Sequence, residues 1–304
     1  DSPKVITIDD IWFNGIFDVC RNCDFLLTHL TDYLSEEDNK KYEFIRGEML
    51  KLIGTGAGYV SASKAEAFEL LCRKNHYRLN KDTKNGLVTN GMQLKIGECK
   101  VSVVSPDKNE VECFARWIDK NLISFLGKNY KLKKRSFIEY IEKVVIVQGK
   151  DTEGSSGSEE ISSSSPNIRD WIGTSTLSKM NEANRMSIVM EIEFDGVTML
   201  FTGDSESEDW IERAKSQYNL VKLSHHGTTK PNLKLLECID FNGAIISTNG
   251  TRNHPENDLL ARLFMKKIND LYFNYDIRQK ESILFCQNKH GFTAHFGEEL
   301  IEIN

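Results

Sequence analysis

Hydrophobic and polar positions alternate most regularly between residues 187 and 202, where SIVMEIEF and VTMLFT are separated only by Asp195-Gly196. A period of two is that of a strand, and Asp-Gly suits a two-residue turn with positive φ, so the pattern predicts a β-hairpin. Ile188, Met190, Ile192 and Phe194 fall on one face, and both segments carry enough apolar bulk to be interior strands. The second strand runs into Gly203-Asp204, which leaves the Asp204 carboxylate at the sheet's edge. Ser205 and Glu208 have the spacing of a capping box and predict a helix to about residue 215. LVKLS then predicts another strand, with His225, His226 and Gly227 at its end. A carboxylate and two imidazoles are thereby delivered from the ends of adjacent strands.

The same reading extends along the chain. Residues 4–13 are β-branched and aromatic around Asp9-Asp10 and predict a strand. Helical spacing of Phe44, Ile45, Met49, Leu50 and Leu52, with Ser35 as cap, predicts a helix over 36–53. Gly54, Gly56 and Gly58 follow, but GTGAGYVSASK lacks the Gly-Lys-Ser/Thr ending of a phosphate loop and reads as a hinge into a helix over 63–74 that packs Ala67, Leu70 and Leu71. A hairpin is expected over 87–105 around Gly97, then helices over 109–126 and 137–147. Residues 150–167, KDTEGSSGSEEISSSSPN, have Ile161 as their one apolar side chain and read as a flexible Ser/Gly-rich loop. GAIIST at 243–248 predicts an interior strand, and Pro255 marks a helix start with Asn253 or His254 as cap and Leu259, Leu260, Leu263 and Phe264 buried. LYFNYD, SILFCQ and GFTAHF read as three short strands, the last two a hairpin around 289–291.

Composition narrows the class. The chain's 304 residues, 39% hydrophobic, suffice for one large domain or two small ones. No run approaches a membrane span and no signal segment opens the chain, so a cytoplasmic protein is expected. Seven scattered cysteines argue against a disulfide framework, and Cys20-x-x-Cys23 lacks the second pair of a zinc knuckle. A net charge of -6 gives no global attraction to nucleic acid. Lys128, Lys131, Lys133, Lys134 and Arg135 around Tyr130 read as a solvated surface or as a local track for a phosphate backbone.

Imidazole nitrogen and carboxylate oxygen are what zinc or manganese accepts, and strand ends hold them in fixed directions. The plain alternative for Asp204 is a helix cap, and for the histidines a surface turn. The runs LFTGD, VKLSHHGTTKPN and ISTNGTRNHPE, in that order, resemble the metallo-β-lactamase-fold hydrolases, most of all the branch containing the hydrolase domain of the competence DNA-uptake channel protein. That resemblance covers most of residues 4–296 and implies an αββα sandwich, α/β (α+β) in class, as a single domain over 1–304. It implies Asp204 as a bridging metal ligand, His225 as the favoured ligand of the pair, and His226 and His254 as groups that contact phosphate or protonate the leaving oxygen. Asn184 and Ser187 occupy the positions that precede the hairpin in that branch and are expected on the substrate side. Two ions, Zn2+ or Mn2+, would be shared with residues outside this chain.

One departure qualifies the resemblance. Of the seven histidines, no two are separated by one residue, so the family's H-x-H-x-D-H cluster is absent. The chain is therefore expected to be the C-terminal part of a longer or cleaved protein, the N-terminal portion of the fold being supplied by another fragment or a partner chain. The expected function is a metal-dependent phosphodiesterase or nuclease acting on nucleic acid or nucleotides, active only with that part. The alternative is a non-catalytic binding or regulatory module with an incomplete metal site.

Overall fold

The computed structural model describes residues 8–15, 19, 68, 71–72, 75–81, 83, 85–126, 168–175, 180, 182–250, 253–297 and 301, residues 118–126 by backbone alone. The expected helices over 36–53 and 137–147, the basic cluster at 128–135 and the loop at 150–167 lie outside them. By its contacts the chain groups into two compact units, residues 1–88 with 109–156 and residues 89–108 with 157–304.

In the first unit the expected strand over 4–13 is reduced, among the described residues, to a single parallel bridge between Ile11 and Leu79. Side-chain amides stand in for the ladder. Asn80 accepts from Phe13 N at 2.8 Å and donates to Phe13 O at 2.6 Å, while Asn14 exchanges two 2.8 Å hydrogen bonds with the backbone of Val88. Backbone groups satisfied this way need no strand partner. The helix α1, Lys108–Leu126, bears out the expectation for 109–126 and buries Val111, Phe114 and Ala115. Residues 68, 71 and 72 are helical as expected, but Leu71, expected to pack, is exposed and the neighbouring Cys72 is buried.

The second unit is built on one eight-stranded mixed sheet whose strands lie side by side in chain order. Strands β1 (Gln93–Ile96), β2 (Cys99–Ser105), β3 (Val189–Phe194) and β4 (Val197–Phe201) are antiparallel. Strands β5 (Gln217–Lys222), β6 (Asp240–Ile246), β7 (Asp270–Phe273) and β8 (Thr293–Phe296) continue from β4 in parallel. Two of the three predicted hairpins form, and the one expected around 289–291 does not. Asp195 and Gly196 turn with φ of 46° and 77°, the twist that joins β3 to β4 without splaying them.

Parallel pairing demands a crossover, and short helices supply it. α2 (Glu182–Arg185) precedes β3, and the crossovers are α3 (Ser207–Trp210), α4 (Leu233–Cys238), α5 (Asn257–Met265) and α6 (Lys280–His290). SILFCQ, expected as a strand, lies within α6: Ile283 and Cys286 are one helical turn apart and both buried, and Gly291 ends the helix at φ 75°. A short apolar run reads equally as strand or buried helix until its neighbours' direction is known. The expected capping box also fails. Ser205 Oγ donates to Thr202 O at 2.6 Å and accepts from the buried Trp210 indole at 2.8 Å, so it braces the turn and Glu206 becomes the cap of α3.

The two sheet faces differ. The row Leu200, Val221, Ala244, Leu271 is fully buried and belongs to one cluster with Trp210, Leu235, Leu259, Leu260, Leu263, Phe264 and Ile283 of the helices. The opposite row, Met190, Phe201, Lys222, Ile245, Tyr272 and His295, is half-buried throughout. Among the described residues no helix is long and apolar enough to cross a membrane.

Candidate functional site

Parallel strands open their loops at the carboxyl ends, and there the expected site residues meet. Asp204 follows β4, His225 and His226 follow β5, and His254 precedes α5. The ring centroids of His225, His226 and His254 lie 5.9, 6.0 and 6.3 Å apart pairwise, and His226 Nε2 is 3.9 Å from Asp204 Oδ2.

The His-His-Gly turn is held in an unusual backbone shape. His225, His226 and Gly227 have φ of 48°, 58° and 89°, three left-handed residues in succession. For the two histidines that conformation costs about 1–2 kcal/mol each. The surroundings over-determine it. Asn232, fully buried, accepts from Ser224 N at 2.9 Å and donates to Ser224 O at 3.0 Å and Thr228 O at 2.7 Å, while His225 N donates to Gly203 O at 3.2 Å.

Two glycines allow the loops to close on one another. A Cβ on Gly227 would lie 2.8 Å from Pro255 Cβ, so only glycine lets the His254-Pro255 segment approach the histidine pair. Glu256 N donates to Gly227 O at 2.9 Å and the Glu256 carboxylate accepts from Thr229 N at 2.8 Å, tying the same two segments. Glu256, rather than the expected Asn253 or His254, is the cap residue of α5. A Cβ on Gly203 would lie 2.8 Å from Ser187 Cβ, and Ser187 Oγ accepts from Asp204 N at 3.2 Å. Ser187 thus steadies the backbone that carries Asp204. Asn184 Nδ2 lies 3.5 Å from His225 Nε2.

Hydrogen bonding sets the state of one imidazole. Ser247 O can only accept, so its 2.8 Å contact with His226 Nδ1 puts a proton on that nitrogen and leaves the neutral ring's lone pair on Nε2, toward Asp204. A carbonyl behind the ring is the usual support of a metal-binding or proton-accepting histidine.

The donor set fits part of a metal site. One carboxylate and imidazoles are chemically apt, yet among the described residues no group of three or more His, Cys, Asp or Glu side chains is arranged to hold an ion. Several participants were not anticipated from sequence: Asn232, Glu256, the Ser247 carbonyl and Lys222. Lys222 carried a signal, a lysine inside the apolar run LVKLS. Burial pushes its pKa down, opposed by the Asp204 charge. No protein-family model matches the chain, and no curated protein matches it.

Proposed function

We propose that this sheet edge is part of the active site of a cytoplasmic metal-dependent phosphodiesterase or nuclease with a metallo-β-lactamase-type sandwich, acting on nucleic acid or nucleotides. The observation that carries the reading is the convergence of Asp204 with His225, His226 and His254 from three separate strand ends, His226 Nε2 lying 3.9 Å from Asp204 Oδ2. Asp204 and one of the paired histidines would hold zinc or manganese, and His226 Nε2, with its proton fixed on Nδ1, suits that task as well as His225 does. Bound ions would lower the pKa of water and neutralise the scissile phosphate. The remaining histidine and His254 would orient the phosphate and hand a proton to the leaving oxygen, with Asn184 orienting His225 and Ser187 holding Asp204 in place. The other metal donors would come from a further fragment or partner chain, because H-x-H-x-D-H occurs nowhere in the 304 residues. One observation favours a non-catalytic binding or regulatory module instead, the lack of a complete metal-holding group among the described residues.

Asp204→Ala separates the two. With manganese or zinc, hydrolysis of single- and double-stranded DNA and RNA and of a dinucleotide should fall at least about a hundredfold while the melting temperature holds. A wild-type protein that binds neither metal nor shows hydrolysis, alone or with a fragment supplying H-x-H-x-D-H, would leave the module reading standing.

A further inference from the structure

We propose that Lys222 is a substrate anchor whose ammonium binds a phosphate oxygen at the Asp204–His225–His226 edge, an inference that rests on reading this edge as a phosphodiester site. Lys222 is the last residue of β5 and sits in the row between Phe201 and Ile245, both apolar. Its own carbonyl accepts from Thr202 Oγ1 at 2.8 Å, which fixes the strand end from which the side chain projects. Nζ donates to Leu223 O at 3.4 Å, a long contact that leaves most of the ammonium's three donors to be used. Leu223 leads directly into the Ser224-His225 turn, and Asp204 is near enough for its charge to act on the ammonium. Among the described residues no carboxylate is within ion-pair distance of it, and Asp204 acts on it only through its field. Neighbouring lysines are differently placed: Lys230 is paired with Glu206 at 3.4 Å and Lys215 with Glu193 at 3.2 Å. A cation held half-buried without an ion pair is costly unless an anion completes it. A phosphodiester offers two unesterified oxygens, so one can take Lys222 while the other faces the imidazoles.

The test uses the full 304-residue chain and inorganic phosphate, followed by lysine-selective NMR of the side-chain amines. The Lys222 signal is expected to shift saturably, with Lys222→Met weakening phosphate binding about tenfold or more and Lys222→Arg by no more than about threefold. In hydrolysis, Lys222→Met should raise KM about tenfold and leave kcat within about threefold, the split of a group that binds ground and transition states alike. Parallel titrations with a dinucleoside monophosphate and a short single-stranded oligonucleotide separate the sources: binding of both through Lys222 identifies a nucleotide-sized substrate, and binding of the oligonucleotide alone a nucleic acid. Equal phosphate affinity in wild type and Lys222→Met would overturn the proposal. If that variant does not fold, a wild-type Lys222 signal unmoved at saturating phosphate overturns it equally. Phosphate bound through Lys222 without any hydrolysis, alone or with a fragment supplying H-x-H-x-D-H, would sink the hydrolase reading and uphold the anchor. Hydrolysis with phosphate affinity indifferent to Lys222 would do the reverse.

Discussion

The two faces of the second unit's sheet are made by the same strands and serve different ends. On one face Leu200, Val221, Ala244 and Leu271 are fully buried in a cluster with helical side chains. On the other, Met199, Phe201, Lys222, Ile245 and Tyr272 are half-buried, and a charged residue interrupts the apolar row. The first face holds the strands in register by area removed from water. That register then lets the strand ends place Asp204 and the histidines, which contribute nothing to the apolar core. Stability and candidate chemistry are therefore separable by substitution.

The largest effect should come from the covered face. Leu200→Ala is expected to cost about 3 kcal/mol in urea unfolding and Met199→Ala, its neighbour on the other face, about 1 kcal/mol. Equal losses would mean that the faces are packed alike. At the strand ends the order should invert. His226→Gln should leave unfolding within about 0.5 kcal/mol of wild type, yet lower kcat about a hundredfold in the hydrolysis assay. A variant with unchanged turnover would take His226 out of the site.

Gly227→Ala should sharpen the link between the two properties. The added Cβ meets Pro255 Cβ at 2.8 Å in a left-handed residue, so the expected cost is about 2 kcal/mol in thermal unfolding, together with reduced activity as His254 is pushed from the histidine pair. The smallest effect lies far from the site. Tyr218, almost wholly buried, donates to the Glu191 carboxylate and accepts from Lys215 N at 2.8 Å. Burial first, and the Glu191 bond second, raise its pKa well above the usual tyrosine range. A hydroxyl harder to ionise folded than unfolded contributes fully below about pH 10 and loses that contribution as pH rises toward the folded value. Tyr218→Phe should thus cost about 1 kcal/mol at neutral pH and flatten the alkaline fall in stability, as read by denaturant unfolding across pH. An unchanged alkaline slope would show that this hydroxyl titrates as an ordinary one.

Local pattern determined a good deal here. The Asp195-Gly196 hairpin, the Gly97 hairpin, the strand before His225 and the buried face of α5 follow from period, turn chemistry and apolar bulk, which act between near neighbours. The positions of Asp204, His225 and His226 at strand ends followed with them. What tertiary structure decided has a common cause, competition among distant partners for the same group. Whether SILFCQ is strand or helix depends on β8 running parallel to β7, since a parallel neighbour requires a crossover. Ser205 abandons its cap because Trp210 and Thr202 offer better partners. Among the described residues of 4–13 a ladder gives way to the Asn80 amide on Phe13, and the Asn14 amide binds the Val88 backbone, both partners far along the chain. The left-handed histidines and the long-contact ammonium of Lys222 are likewise unreadable from their neighbours, because strain and burial are imposed by packing around them and not by the local chain.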